Sequence, residues 1–152
     1  MNYETLLTEA CDQGLIVKEK PLKYNNGRIK GNRVAIRQDI ETTTEKACIL
    51  AEELGHHYTS VGNILDLTVS YNRKQERQAR IWAYNKQIGL NGLIRAYENG
   101  CKSRYEIAEF LEVTEQFLEE AILEYREIYG ICTSHNGYLV YFIPQLIICK
   151  RI

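Results

Sequence analysis

The segment Ala51-Glu52-Glu53-Leu54-Gly55-His56-His57 holds the residues best suited to chemistry. On a helix, side chains four positions apart share a face, so Glu52 and His56 lie roughly 40° apart at about 100° per residue. A carboxylate and an imidazole so placed suit two corners of one divalent ion, as in zinc-binding helices that read H-E-x-x-H. The pattern here is E-E-x-x-H. Glu52 takes the first ligand position, His56 the second, and Glu53 the position of the general base that activates water. His57 falls roughly 140° from Glu52, on the side of Leu50 and Leu54, and is not expected at the same ion. The alternative for Glu52 and His56 is an i,i+4 pair that only stabilises the helix.

A third ligand is available downstream. Arg73 to Gln87 reads as a second helix, with Glu76 one turn before Ala79 and Arg80. Ala79 and Ala83 are small and share a stripe with Glu76, so this helix can approach the first closely enough for the Glu76 carboxylate to reach in. Glu52, His56 and Glu76 then make three protein ligands with a fourth position left for water, the arrangement of catalytic sites.

The elements that must position these groups are legible around them. Residues 2–13 read as a helix stopped by Gly14, and residues 15–40 as a small antiparallel sheet with turns at Asn25-Asn26-Gly27 and Gly31-Asn32. Thr42 and Glu45 form a capping-box signature that opens the metal-site helix. A loop through Gly62-Asn63, past Ile64, Leu65 and Leu67, leads to the second helix. Further helices are expected over about 90–99 and, broken near Glu112-Val113-Thr114, over 103–129, followed by a β-like tail. The fold class is α+β: a small antiparallel sheet on a metal-site helix, then a mainly helical half with a terminal strand. We expect one domain over 1–152, with a core at about 1–90 and a helical extension at about 90–152.

Thr44-Glu45-Lys46-Ala47-Cys48-Ile49-Leu50-Ala51-Glu52-Glu53-Leu54-Gly55-His56, followed by Glu76-x-x-Ala79, resembles the ImmA/IrrE metallopeptidases of phages, integrative elements and stress responses. In that family a helix reading HELGH supplies two His ligands and the base, and an ExxA helix supplies the third ligand. The resemblance covers about residues 15–90. It implies Glu53 as base, His56 and Glu76 as ligands, Glu52 in place of the first His, and Arg80 where the family often has Asn. It also implies a narrow protein substrate, a transcriptional repressor of a phage or mobile element. The competing function is a catalytically degenerate relative that acts as a regulatory protein-binding module.

Glu52 alters the expected metal chemistry. Carboxylate oxygen is a sound zinc ligand, but two carboxylates cancel the charge of a divalent ion and leave its water less acidic than in neutral-ligand sites. Oxygen-rich coordination also moves preference from Zn²⁺ towards Mn²⁺ or Fe²⁺. Oxyanion stabilisers are candidates only by type: Tyr58, Tyr71, Tyr84 and His57.

Charge and composition narrow the partners. Residues 15–37 hold seven Lys and Arg against one acid, whereas 105–127 hold eight Glu against one Arg. The segment 104–127 resembles a helix-turn-helix, but its second helix would meet phosphates with the wrong sign, so no direct DNA binding is expected. The opposed runs could instead orient a charged partner. Cys11, Cys48, Cys101, Cys132 and Cys149 show no C-x-x-C pair and are expected as small apolar fillers in a reducing compartment. No apolar run approaches the roughly 18 residues of a membrane span, and the acidic start lacks a signal peptide's basic region, so a cytoplasmic protein is expected.

Overall fold

Asn2 opens the first helix, its side-chain oxygen accepting from the Thr5 N–H at 2.8 Å, and α1 (Tyr3–Asp12) buries Leu6 and Ala10. The computed structural model describes residues 1–60 and 69–152, with side chains described outside 61–71. The expected loop through Gly62, Asn63, Ile64, Leu65 and Leu67 lies outside the described residues. The chain is α+β and divides into two compact units, Met1–Lys86 and Gln87–Ile152.

In the first unit, α1 is followed by β1 (Ile16–Lys20), β2 (Gly27–Lys30) and β3 (Arg33–Arg37). β2 and β3 form the expected hairpin, turning at Gly31, whose φ of +59° favours a residue without Cβ. The sheet is not wholly antiparallel. β1 runs parallel to β3, pairing Ile16 with Arg33 through Lys20 with Arg37, so the order is β1-β3-β2. The physical reason lies in residues 21–26. They do not close a tight hairpin at Asn25-Asn26-Gly27 but carry the chain past β3's place, and Gly27 becomes the first residue of β2.

One face of this sheet carries Val34 and Ile36, 2% and 0% exposed, and packs on α2 (Thr43–Thr59). The cap of α2 is as expected: the Thr42 side chain accepts from the Glu45 N–H at 3.2 Å. Lys46, in the first turn, pairs with Glu19 of β1. Ala47, Leu50, Ala51 and Leu54 are buried along α2, which thereby has a sealed side and a half-exposed one carrying Glu52, Glu53 and His56. α3 (Val69–Gln87) completes the unit, starting four residues before the expected Arg73.

The second unit holds α4 (Gly89–Glu98), α5 (Arg104–Leu111) and α6 (Glu115–Tyr129). The expected break between α5 and α6 is present: Glu112 takes a left-handed φ of +58°, and Thr114 caps α6 by accepting from the Phe117 N–H at 3.1 Å. The tail corrects the expectation of a single terminal strand. β4 (Cys132–His135), β5 (Tyr138–Tyr141) and β6 (Ile147–Lys150) form an antiparallel sheet in that order. Asn136-Gly137 makes the first turn, both residues at positive φ, the two-residue hairpin that Asn-Gly favours. β4 is too short and polar to announce itself by hydrophobicity. Tyr125, Phe142, Leu118 and Ile122 fill the core of this unit.

Candidate metal centre

The half-exposed side of α2 and the facing turn of α3 bring an imidazole and a carboxylate together. His56 Nε2 lies 3.4 Å from Glu76 Oε2. Two ligand atoms at about 2.0–2.2 Å from a tetrahedral zinc ion stand about 3.3–3.5 Å apart, so this separation fits a shared cation. Glu53 stands in the same neighbourhood. Burial first, then the charges of Glu52 and Glu76, push its carboxyl up to about 7. Three acids that act on one another beside one imidazole are a donor set that a divalent cation would satisfy electrostatically. Glu52 is half-buried one turn before His56. Among the described residues, however, no three His, Cys, Asp or Glu side chains converge into a ready-made metal site. The pair His56–Glu76 is what the fold assembles directly.

Two glycines set this geometry, and both escape a reading centred on reactive groups. A Cβ on Gly55 would fall on the Ala79 carbonyl, 3.0 Å from its carbon. α2 and α3 therefore touch backbone to backbone, one residue before His56 and three after Glu76. Ala79 and Ala83 are 1% and 0% exposed, consistent with the close approach inferred from their size. Gly27 does the same for the sheet. A Cβ there would lie 2.9 Å from Glu53 Oε1 and 2.8 Å from Ile49 Cγ2, so β2 presses directly against the Glu53 side chain. For Gly55 the available signal was an isolated glycine inside a helical pattern, which marks close backbone approach, whereas Gly27 read as a turn residue.

Two of the other sequence candidates are engaged in ring contacts. Tyr58 stacks on Trp82 with ring centroids 5.2 Å apart, and His57 meets Tyr58 edge-on at 4.9 Å. Tyr84 is 2% exposed, and the side chain of Tyr71 lies outside the described residues. Arg80 lines an open hollow of about 530 Å³ with Asn72, Arg73, Glu76 and Arg77. The cysteine expectation needs correction. Only Cys48 is buried, while Cys11, Cys132 and Cys149 are exposed, because they fall on outward helix and strand positions. All five are free thiols. No described helix is long and apolar enough to cross a membrane.

No curated protein and no solved structure matches the chain. Residues 12–123 match the peptidase family Peptidase_M78, described as the IrrE N-terminal-like domain, a span that contains both α2 and α3 entire. With E-E-L-G-H on α2, E-x-x-A on α3 and this match across most of its length, the chain belongs to the IrrE N-terminal-like metallopeptidase family.

Proposed function

We propose that the protein is a metal-dependent endopeptidase that hydrolyses a specific protein substrate, a transcriptional repressor of a phage or mobile element. The observation that carries this reading is the separation of His56 and Glu76, 3.4 Å across two different helices. Nothing about helix packing alone requires an imidazole and a carboxylate to meet there at the spacing of two ligands on one ion. In this reading His56 and Glu76 hold the cation and Glu52 completes the set. The cation is Zn²⁺, or Mn²⁺ or Fe²⁺ given the two carboxylates. When bound, it supplies Lewis-acid chemistry, polarising a peptide carbonyl and lowering the cost of deprotonating water.

The remaining work falls to Glu53. Its carboxylate takes a proton from the attacking water and returns it to the departing amine nitrogen as the C–N bond breaks. Gly27 of β2 closes on the side chain from the strand side, which limits its rotamers. Burial serves the same end, since a carboxyl with a raised proton affinity is a better base than a solvated one.

The test pairs two measurements on protein purified without chelator and co-expressed with a candidate repressor substrate. The wild type should carry about one equivalent of metal and cut the repressor. Glu53→Gln should keep the metal and lose cleavage by about 10²–10⁴-fold, the usual contribution of a general base. Undiminished cleavage in that variant would exclude the mechanism. Metal far below one equivalent, not restored by Zn²⁺ or Mn²⁺, would favour the binding-only relative, in keeping with the lack of a converged three-donor group among the described residues.

A further inference from the structure

The sheet of the first unit has a second face, and its composition is unusual. Strand alternation and register place Ile16, Lys18 and Lys20 of β1, Arg33 and Ala35 of β3, and Arg28 and Lys30 of β2 on the side away from Val34 and Ile36. Lys18, Lys20, Arg28, Lys30 and Arg33 line one hollow there, about 270 Å³ in volume, with no acid in its wall. None of the five is ion-paired among the described residues. Like charges packed so closely repel one another, so the face would be easier to form with salt-bridging acids or neutral residues in these positions. An anionic partner removes that cost.

We propose that this face is a docking site for an acidic polypeptide segment with interleaved apolar side chains, a part of the protein partner remote from the bond that is cut. Register supplies the shape. Lys18 and Arg28 flank Ala35 from the two neighbouring strands, about 9–10 Å apart, and the small Ala35 side chain leaves a trough between them. Within β1 and β2 the pairs Lys18/Lys20 and Arg28/Lys30 repeat about every 6.6–6.8 Å, the spacing of alternate side chains in an extended peptide. Ile16, 45% exposed beside these cations, gives an apolar contact that a phosphate backbone would leave unused. Nor does any aromatic residue line the hollow, as base stacking on single strands requires. Polypeptide therefore fits better than nucleic acid.

The face is joined to the candidate centre by β2 itself. Gly27 touches Glu53 on the inner side, and Arg28, the next residue, reaches the outer hollow. β2 is also an edge strand, so a chain leaving the cationic face can pass over it towards Glu53. Arg73, Arg77 and Arg80 line a hollow with Glu76 on α3. As a substrate-guiding surface, the proposal rests on the peptidase reading. As a binding surface, it can be tested without it.

The experiment measures fluorescence anisotropy of a labelled synthetic peptide in which Glu alternates with Ala and Val, using the full chain with chelator present. Controls are the same peptide with Gln for Glu and a short DNA duplex. The Glu peptide should bind at least about tenfold more tightly than the Gln peptide, weaken with added salt, and bind equally well after metal removal. Lys18→Glu with Arg28→Glu and Lys30→Glu should cost at least about tenfold in affinity. Should that variant fold poorly by circular dichroism, Lys18→Gln with Lys30→Gln should show a smaller loss in the same direction. Equal binding of the two peptides would overturn the proposal. So would tighter binding of the duplex, lost in the same variant, which would make the face a nucleic-acid site. Self-association abolished by the variant would assign it to the acidic helices of a second copy and overturn it too. A protein that binds the Glu peptide but never cuts a repressor would leave docking intact and remove the peptidase reading alone.

Discussion

Among the described residues the two units use the same parts, three helices and a three-stranded sheet each, to opposite ends. In the second, two polar side chains at the core are engaged with backbone groups. Arg126 Nε donates to the Phe142 carbonyl at 2.8 Å, and the Tyr125 hydroxyl accepts from the Gly89 N–H at 3.2 Å. Phe142 itself is 0% exposed, with Tyr125 and Tyr129 ring centroids each 5.9 Å away. In the first unit, α2 keeps two acids and an imidazole half-buried beside the exposed Glu76 of α3, with Gly27 pressed against Glu53 and Gly55 against the Ala79 backbone. Such an arrangement works against stability, since burial and like charge both oppose ionised carboxylates. The contrast teaches where function sits: a fold retains unfavourable electrostatics only where something else depends on it.

The largest effect that would sharpen this contrast is on the second unit. Phe142→Ala removes a fully buried aromatic and should destabilise the chain by about 3–5 kcal/mol in denaturant titration. Zinc affinity of the protein that remains folded should be unchanged. A matching loss of affinity would show that the second unit helps shape the metal centre. Gly55→Ala is the counterpart in the first unit. Its methyl group has no room beside Ala79, so we expect a loss of about 1–3 kcal/mol from overpacking. Here zinc affinity should fall as well, by about tenfold or more, because the helices must part and carry His56 away from Glu76. Calorimetric zinc titration of the two variants side by side reads the difference. Unchanged affinity in Gly55→Ala would remove close helix packing as the device that sets the ligand spacing.

The same contrast explains how far the sequence could be read. The first unit was legible where chemistry and local capping coincide. Thr42 and Glu45 placed the start of α2, helical spacing put Glu52, Glu53 and His56 on its open side, and the small residues Ala79 and Ala83 pointed to the approach of α3. What stayed hidden was non-local. Whether β1 lies parallel or antiparallel to β3 depends on the path of residues 21–26, and strand pattern carries no information about strand direction. Gly27 and Gly55 act through backbones distant in sequence: Gly55 stood isolated in a helical pattern, whereas Gly27 read only as part of a turn. The second unit hid β4 for a different reason: Cys132-Thr133-Ser134-His135 is an edge strand with little apolar character, and the Asn136-Gly137 turn was the stronger signal.

A smaller effect separates the units by pH. The carboxyl of Glu53 is raised to about 7 by burial and by Glu52 and Glu76, against 4.5 ordinarily. The folded state of the metal-free protein therefore holds a proton that the unfolded chain has released. That stabilisation is fully present below about pH 4.5 and is lost as pH rises through about 7. Because the side chain is partly solvated, we expect the loss to be about 1–2 kcal/mol, not the full value of the shift. Urea titrations at pH 5 and pH 8 in chelator should show wild type losing more stability than Glu53→Gln. Identical pH slopes in the two proteins would mean that the carboxyl is solvated and the inner face of the sheet does not confine it.

The smallest effects come from the two threonine caps, and their value lies in the comparison. Thr42 accepts from the Glu45 N–H at 3.2 Å and Thr114 from the Phe117 N–H at 3.1 Å, so each satisfies one otherwise unpaired donor at a helix start. Thr42→Ala and Thr114→Ala should each cost about 1 kcal/mol of stability. Helices fray from their ends, and the proposed ligands on α2, Glu52 and His56, sit in its third and fourth turns, beyond the reach of a frayed first turn. Loss of the Thr42 cap should therefore leave zinc affinity where it was, as loss of the Thr114 cap does. If Thr42→Ala weakened zinc binding while Thr114→Ala did not, α2 would have to move as a rigid rod pivoted at its capped end. The Lys46–Glu19 pair in that first turn would then share with Gly55 the task of holding His56 against Glu76.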